Sequence, residues 1–344
     1  MRLWILDNGG IAARERVATA AELGFERWIA RYDHPKLKSL AEWCLRYNIG
    51  LMVDMAYWGD NFKRDHPGMA FRNHDGLSSF ASRDPIVVAN DWPSFWHPTA
   101  VAEIMEPAFN HAMNEVGDAL VGFAIGTGTG DATVMPINWH RCPNGSHFCQ
   151  DYWVFDEHAL KAYKKMYGAD AVPAAHPVDD ENLETLRFIQ DGLVGRLNEV
   201  AKLAAANGSE VFPMILPFPN NSYINMAAGY SFGLHGKLAT WAHTFADEHD
   251  VHVGFLIPYV FGEGNGGLQD QIACAASMAD PMGNNCETLV GAEVGGSDWE
   301  KNLIRNGGRV PKLGLHGLLC DPTYVTDPSN KDRVKDILLK LSTA

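Results

Sequence analysis

The 344-residue chain contains no apolar run approaching the about 18 residues that a membrane-spanning helix needs. Positive charge is also scarce. Its 28 Lys and Arg against 42 Asp and Glu leave a formal net charge of −14. That balance argues against nucleic acid or an anionic membrane as a partner, because either demands a basic face. Cysteine is sparse: Cys44, Cys142, Cys149, Cys274, Cys286 and Cys320 are too few for a disulfide-built scaffold. No Gly/Ser linker or break in composition divides the chain, so one domain over 1–344 is expected. No signal-peptide pattern is visible after Met1, where a strand-length apolar run stops at Asp7-Asn8-Gly9-Gly10. Compartment and oligomeric state stay open. No cofactor motif stands out either. Gly126-x-Gly128-x-Gly130 lacks the Lys-Ser/Thr of a phosphate-binding loop and does not match the dinucleotide spacing.

Hydrophobic residues at 46% and charged residues at 20% are ordinary globular values and exclude a disordered or coiled-coil chain. Short apolar runs read as buried parallel strands at residues 3–6, 27–30, 50–53, 120–125, 211–216, 253–257, 289–292 and 313–318. Helical spacing fills the intervals at 11–23, 35–47, 98–115, 157–167, 180–207, 234–249, 268–278 and 331–341. Strands alternating with helices demand right-handed crossovers and a parallel sheet, and a count of eight favours a closed (β/α)8 TIM barrel. The connections after strands 3 and 4 are far longer than a minimal repeat. Long ordered insertions in a barrel usually build the substrate face.

In this fold chemistry lies at the C-terminal strand ends, so those positions can be read in order. Asp131, just past strand 4, and Glu293, ending strand 7, are the candidate catalytic pair. Strands 4 and 7 face each other across the mouth of a closed barrel, and glycoside hydrolysis needs two opposed carboxyl groups. Asp131 is equally well read as a helix N-cap or turn residue, whereas a buried strand rarely ends on an unpaired carboxylate such as Glu293 without a use for it. Glu263, on a Gly-rich loop after strand 6, is the rival acid. Strand 8 is read as ending in His316 and then Asp321. Arg31, Asp54, Asn220, Asn221 and His316 are candidates for gripping hydroxyls. Tyr57, Trp58, Tyr259 and Trp299 are candidates for stacking on sugar faces. Finally, His140, Cys142, His147 and Cys149 lie close enough in sequence for a zinc site, a Cys142–Cys149 disulfide or free thiols. A clamp is expected there, with the disulfide ahead of the metal; zinc in this loop would be structural, with all four tetrahedral positions filled, and no catalytic metal is expected.

The stretch from Gly122 to Pro136, with its Gly-rich turn delivering Asp131, resembles the strand-4 segment of family 42 β-galactosidases and, more loosely, of β-amylases. The segments 152–156 and 159–168 resemble the helix that follows the acid in those enzymes. The resemblance implies a retaining glycosidase of the large (β/α)8-barrel clan, acting on an oligo- or polysaccharide without a cofactor. In that reading Asp131 is acid/base and Glu293 is nucleophile. The clan's Asn-Glu pair is absent, and Gly130-Asp131 stands in its place. That departure supports the alternative expectation, a non-catalytic sugar-binding barrel within a larger assembly.

Overall fold

A computed structural model describes residues 1–7, 9–55, 59–80, 87–88, 92–126, 137–138, 140–141, 148–149, 151–176, 183–215, 232–257, 287–292 and 299–342. Eight strands run parallel: β1 (Arg2–Asp7), β2 (Arg27–Arg31), β3 (Gly50–Asp54), β4 (Leu120–Ile125), β5 (Glu210–Pro213), β6 (Gly254–Ile257), β7 (Glu287–Ala292) and β8 (Gly317–Cys320). Each pairs with its sequence neighbour, and β8 returns to β1 with Arg2 opposite Gly317. The step from β5 to β6 is closed by bridges at Val211–Val253 and Met214–Leu256. There Val211 donates its N–H to the His252 carbonyl and Ile215 to that of Leu256, each at 2.9 Å. The sheet is therefore a closed ring, and the chain is a (β/α)8 barrel.

Alternation along the strands divides the core in two. Trp4, Leu6, Ile29, Met52, Ala124, Phe212, Met214, Leu256, Leu289 and Leu319 fill the lumen. The residues between them, such as Ile5, Trp28, Val53 and Phe123, join a larger cluster beneath the helices. These strands are apolar on both faces because both faces are covered. Glycines make room where the lumen is crowded. A Cβ on Gly254 would lie 2.7 Å from the Glu287 carbonyl oxygen and would also meet the Phe212 ring.

The outer layer contains α1 (Arg14–Glu22), α2 (Leu37–Tyr47), α3 (Gly59–Asp65), α4 (Glu106–Val116), α5 (Glu157–Tyr167), α6 (Leu183–Ala205), α7 (Phe232–His249), α8 (Trp299–Gly307), α9 (Pro322–Val325) and α10 (Lys331–Ser342). In α2 the buried Leu37, Leu40, Ala41 and Cys44 form the inward stripe, and the helix ends on Asn48 in the left-handed region at φ 56°. The Asp156 side chain caps α5 by accepting from the Ala159 N–H. One turn of π-helix, Val101–Met105, precedes α4. The expected helix at 268–278 lies outside the described residues. Among the described residues no helix is long and apolar enough to cross a membrane.

The two long insertions leave from the C-terminal ends of β3 and β4 and pair with each other. Val87–Val88 forms an antiparallel ladder with Ile137–Asn138, and the Phe155 N–H donates to the Arg72 carbonyl at 2.9 Å. The Ser94 hydroxyl donates to Asp156 at 2.8 Å. Beneath them Arg196 of α6, only 4% exposed, donates to the carbonyls of Phe95 at 2.6 Å and His97 at 3.0 Å.

Candidate active site at the barrel mouth

The barrel has two polar ends with different characters. At the N-terminal end charges pair across the lumen, between strands that are not neighbours in the sheet. Arg27 meets Glu210 at 2.9 Å, and Arg2 meets Glu287 at 3.0 Å, with His252 3.6 Å from the same carboxylate. Burial pushes the Glu287 carboxyl up, against the pull of Arg2. Ion pairs at this end of such a barrel belong to its stability.

His316 sits at this stability end, which corrects its expected place at the mouth. The apolar run at 313–318 is not the strand. Pro311–Leu313 forms a 3-10 turn, Gly314 turns the chain at φ 71°, and β8 begins only at Gly317. His316 therefore precedes the strand, and its Nδ1 accepts from the Thr288 N–H at 3.1 Å. Trp299 is also displaced from its expected role. It opens α8, is 6% exposed and stacks on Tyr324 at 6.0 Å with 11° between the rings. Another side chain already covers its face.

At the C-terminal end, alternation that puts Ile29 and Met52 in the lumen puts Arg31 and Asp54 on the same face, two residues nearer the mouth. The two are register partners on β2 and β3. Asp54 is 1% exposed. Arg31 forks onto Asp33 with Nε at 3.0 Å and Nη2 at 2.7 Å, a bidentate pair that fixes the guanidinium plane. Both strand-end residues lie where sequence reasoning put them.

Behind this pair, on the outer face of the strands, lies a contact that sequence reasoning missed. Asp7 ends β1 and accepts from the N–H groups of Ile11 and Ala12, both at 3.1 Å, which holds the turn leading into α1. His34 follows β2 and is 7% exposed. Its Nδ1 accepts from the Lys36 N–H at 3.0 Å, so the neutral ring carries its proton on Nε2, 3.9 Å from Asp7. Burial lowers the His34 pKa more than Asp7 raises it. A cavity of about 210 Å³ opens beside this histidine, bordered by Tyr32, Asp33, Lys36, His111 and Glu115.

Asp131, Glu293, Tyr57, Trp58, Asn220, Asn221, Tyr259 and Glu263 lie outside the described residues, as do Cys142 and His147. On either side of residues 142–147, His140–Arg141 pairs antiparallel with Phe148–Cys149, setting Cys149 opposite His140.

No family model matches the chain, and no curated protein matches it. Solved structures do. Dihydropteroate synthase from Thermus thermophilus in complex with 6HMPPP aligns at 11% identity and TM-score 0.45, covering 99% of this chain and 92% of that one. D-psicose 3-epimerase in the presence of D-fructose aligns at 12% and 0.44, covering 99% and 98%. A truncated 3-deoxy-D-arabino-heptulosonate 7-phosphate synthase from Thermotoga maritima aligns at 9% and 0.40, covering 99% and 86%. None of these enzymes is a glycoside hydrolase, and with no family model or curated protein behind it the glycosidase expectation, with its galactosidase resemblance, is withdrawn. The barrel plan survives, resting on the strand order itself.

Proposed function

We propose that the protein is an enzyme whose reaction takes place at the C-terminal mouth of the barrel, on a polar small molecule that Asp54 and Arg31 contact. The observation that carries this reading is the burial of Asp54 at the last position of β3, on the lumen face beside Arg31. Removing a carboxylate from water costs several kcal/mol, and a barrel that keeps one at its mouth keeps it where such folds do chemistry. The charged groups at the opposite end pair with one another across the lumen, whereas Asp54 and Arg31 lie at the end of the barrel that a ligand enters. A carboxylate accepts hydrogen bonds from hydroxyl, amide or ammonium groups, and a guanidinium donates to carboxylate, phosphate or carbonyl oxygens. Together they fit a substrate bearing donors and acceptors a few ångströms apart.

The test is a metabolite panel screened by ligand-observed NMR against the intact chain, with each hit repeated on Asp54→Asn and Arg31→Gln. A hydrogen bond to a charged group contributes about 1.5–3 kcal/mol, so one variant or both weaken a true mouth ligand by about 10- to 100-fold. Circular dichroism verifies that the variants remain folded. Hits held equally well by both folded variants refute the assignment.

A further inference from the structure

The two insertions above the barrel bring together three groups that sequence separates widely: His74 after β3, and Asp151 and His176 after β4. One ligand atom from each lies within 4.8 Å of the others. His176 Nδ1 is 3.0 Å from Asp151 Oδ1, and His74 Nδ1 is 3.9 Å from the same oxygen. The imidazoles meet edge to face with centroids 4.7 Å apart. From this geometry we infer a divalent metal site, independent of the mouth, in which His74 Nδ1, Asp151 Oδ1 and His176 Nδ1 bind Zn²⁺ or a neighbouring first-row ion.

Three features support a metal over a simple ion pair. First, bonds of about 2.0–2.1 Å in a tetrahedron put neighbouring ligand atoms about 3.3 Å apart. The two measured edges to Asp151 bracket that value, and small rotations of the imidazole rings bring in the third. Second, two imidazoles and one carboxylate suit first-row ions, as in other sites with two histidines and one acid. Third, groups outside the triad hold two of the ligands. Asn73 Nδ2 donates to Asp151 Oδ2 at 2.9 Å, leaving Oδ1 turned toward the histidines. His74 Nε2 lies 3.4 Å from Asp75 Oδ1. A metal-ligating histidine characteristically gives its other N–H to such a carboxylate, which fixes the tautomer and strengthens the ligand.

Long-range pairing builds the cradle. The Tyr152 N–H donates to the Ala175 carbonyl at 2.9 Å, setting the backbone after Asp151 beside that before His176. The Phe155 N–H on the Arg72 carbonyl brings the His74 turn alongside. Asp151 is buried at 2% exposure, whereas His74 is exposed and His176 half-buried, so the ion meets solvent on one side. Three protein ligands leave a position that water fills, and the site is therefore open rather than sealed.

Metal-stripped full-length chain is titrated with Zn²⁺ by calorimetry and with Co²⁺ by visible absorption. One equivalent is expected to bind, with intense d–d bands for four-coordinate Co²⁺ and a raised melting temperature. His74→Ala and His176→Ala are expected to weaken Zn²⁺ by about 100-fold or more. Asp75→Asn touches no metal and is exposed, so it leaves the fold intact, yet it is expected to cost about 10-fold. A purely structural ion pair would not produce that last effect. Absence of binding overturns the inference. So does binding unchanged in His176→Ala but lost in Cys142→Ser, which moves the ion to the cysteine hairpin.

Discussion

Replacing Arg196 by Met keeps the length of the side chain and removes its charge and donors. Arg196 holds the carbonyls of Phe95 and His97 at 2.6 and 3.0 Å, with that of Ser94 at 3.4 Å. Burial depresses its pKa, with Glu199 at 3.4 Å opposing. A hydrogen bond to a charged group contributes about 1.5–3 kcal/mol, and the two short bonds together give about 3–6 kcal/mol. Methionine packing offsets part of this, and the bond to the His97 carbonyl is only partly buried, so a net loss of about 2–4 kcal/mol is expected. Hydrogen exchange read by mass spectrometry locates the loss. Protection should fall first over residues 92–99, whose backbone the guanidinium holds, while β1–β3 stay protected. Urea unfolding gives the total. A loss under about 1 kcal/mol, or exchange rising first in the barrel strands, would refute the view that this one residue fastens the first insertion to α6.

Three further outcomes follow from the same geometry. Gly254→Ala drives a methyl group into Phe212 and the Glu287 carbonyl, and a melting-temperature drop matching about 2 kcal/mol or more is expected, with an unchanged melt contradicting the packing. Burial lowers the pKa values of His34, His97, His252 and His316. The unfolded chain therefore binds more protons just below the ordinary histidine pKa of about 6.5, and stability should fall as pH drops through that value. Asp156 and Glu287, with raised pKa values, oppose the trend nearer the carboxylate range. In His34→Asn the amide oxygen still accepts from Lys36, and melting temperatures from pH 7.5 to 5.5 should show a shallower acid slope than the parent. An identical slope excludes His34 as a contributor.

Much of the barrel is legible from apolar runs because each strand is covered on both faces and so stands out from the amphipathic helices between. The run at 313–318 misled because Leu315 is buried beneath the helical layer rather than within a strand, and periodicity does not distinguish the two kinds of burial. Residues 59–65 and 299–307 form helices that carry too few apolar positions to announce themselves. Arg31 and Asp54 were readable because a strand of known register puts its last residue at the mouth. His34 was not, since only its burial and its contacts with Lys36 and Asp7 distinguish it from any loop histidine. The triad of His74, Asp151 and His176 has no local spacing at all. Pairing between two insertions assembles it, and no window on one segment contains that information.

The ring of strands also sets a timetable. Its seam lies between β1 and β8, with Arg2 opposite Gly317, so of the eight barrel strands the earliest made is among the last to be completed. At about 5–20 residues per second, one edge of β1 waits about 15–60 s for its neighbour. During that wait it presents an unpaired row of N–H and C=O groups, open to a strand from another chain. The late-arriving segment also fastens the seam from outside. Arg16 of α1 donates to the carbonyls of Pro322 and Thr323, and Lys331 pairs with Glu22. Slowing synthesis between β7 and β8 should therefore raise the yield of strand-exchanged dimers, while the same pause after β8 should leave it unchanged.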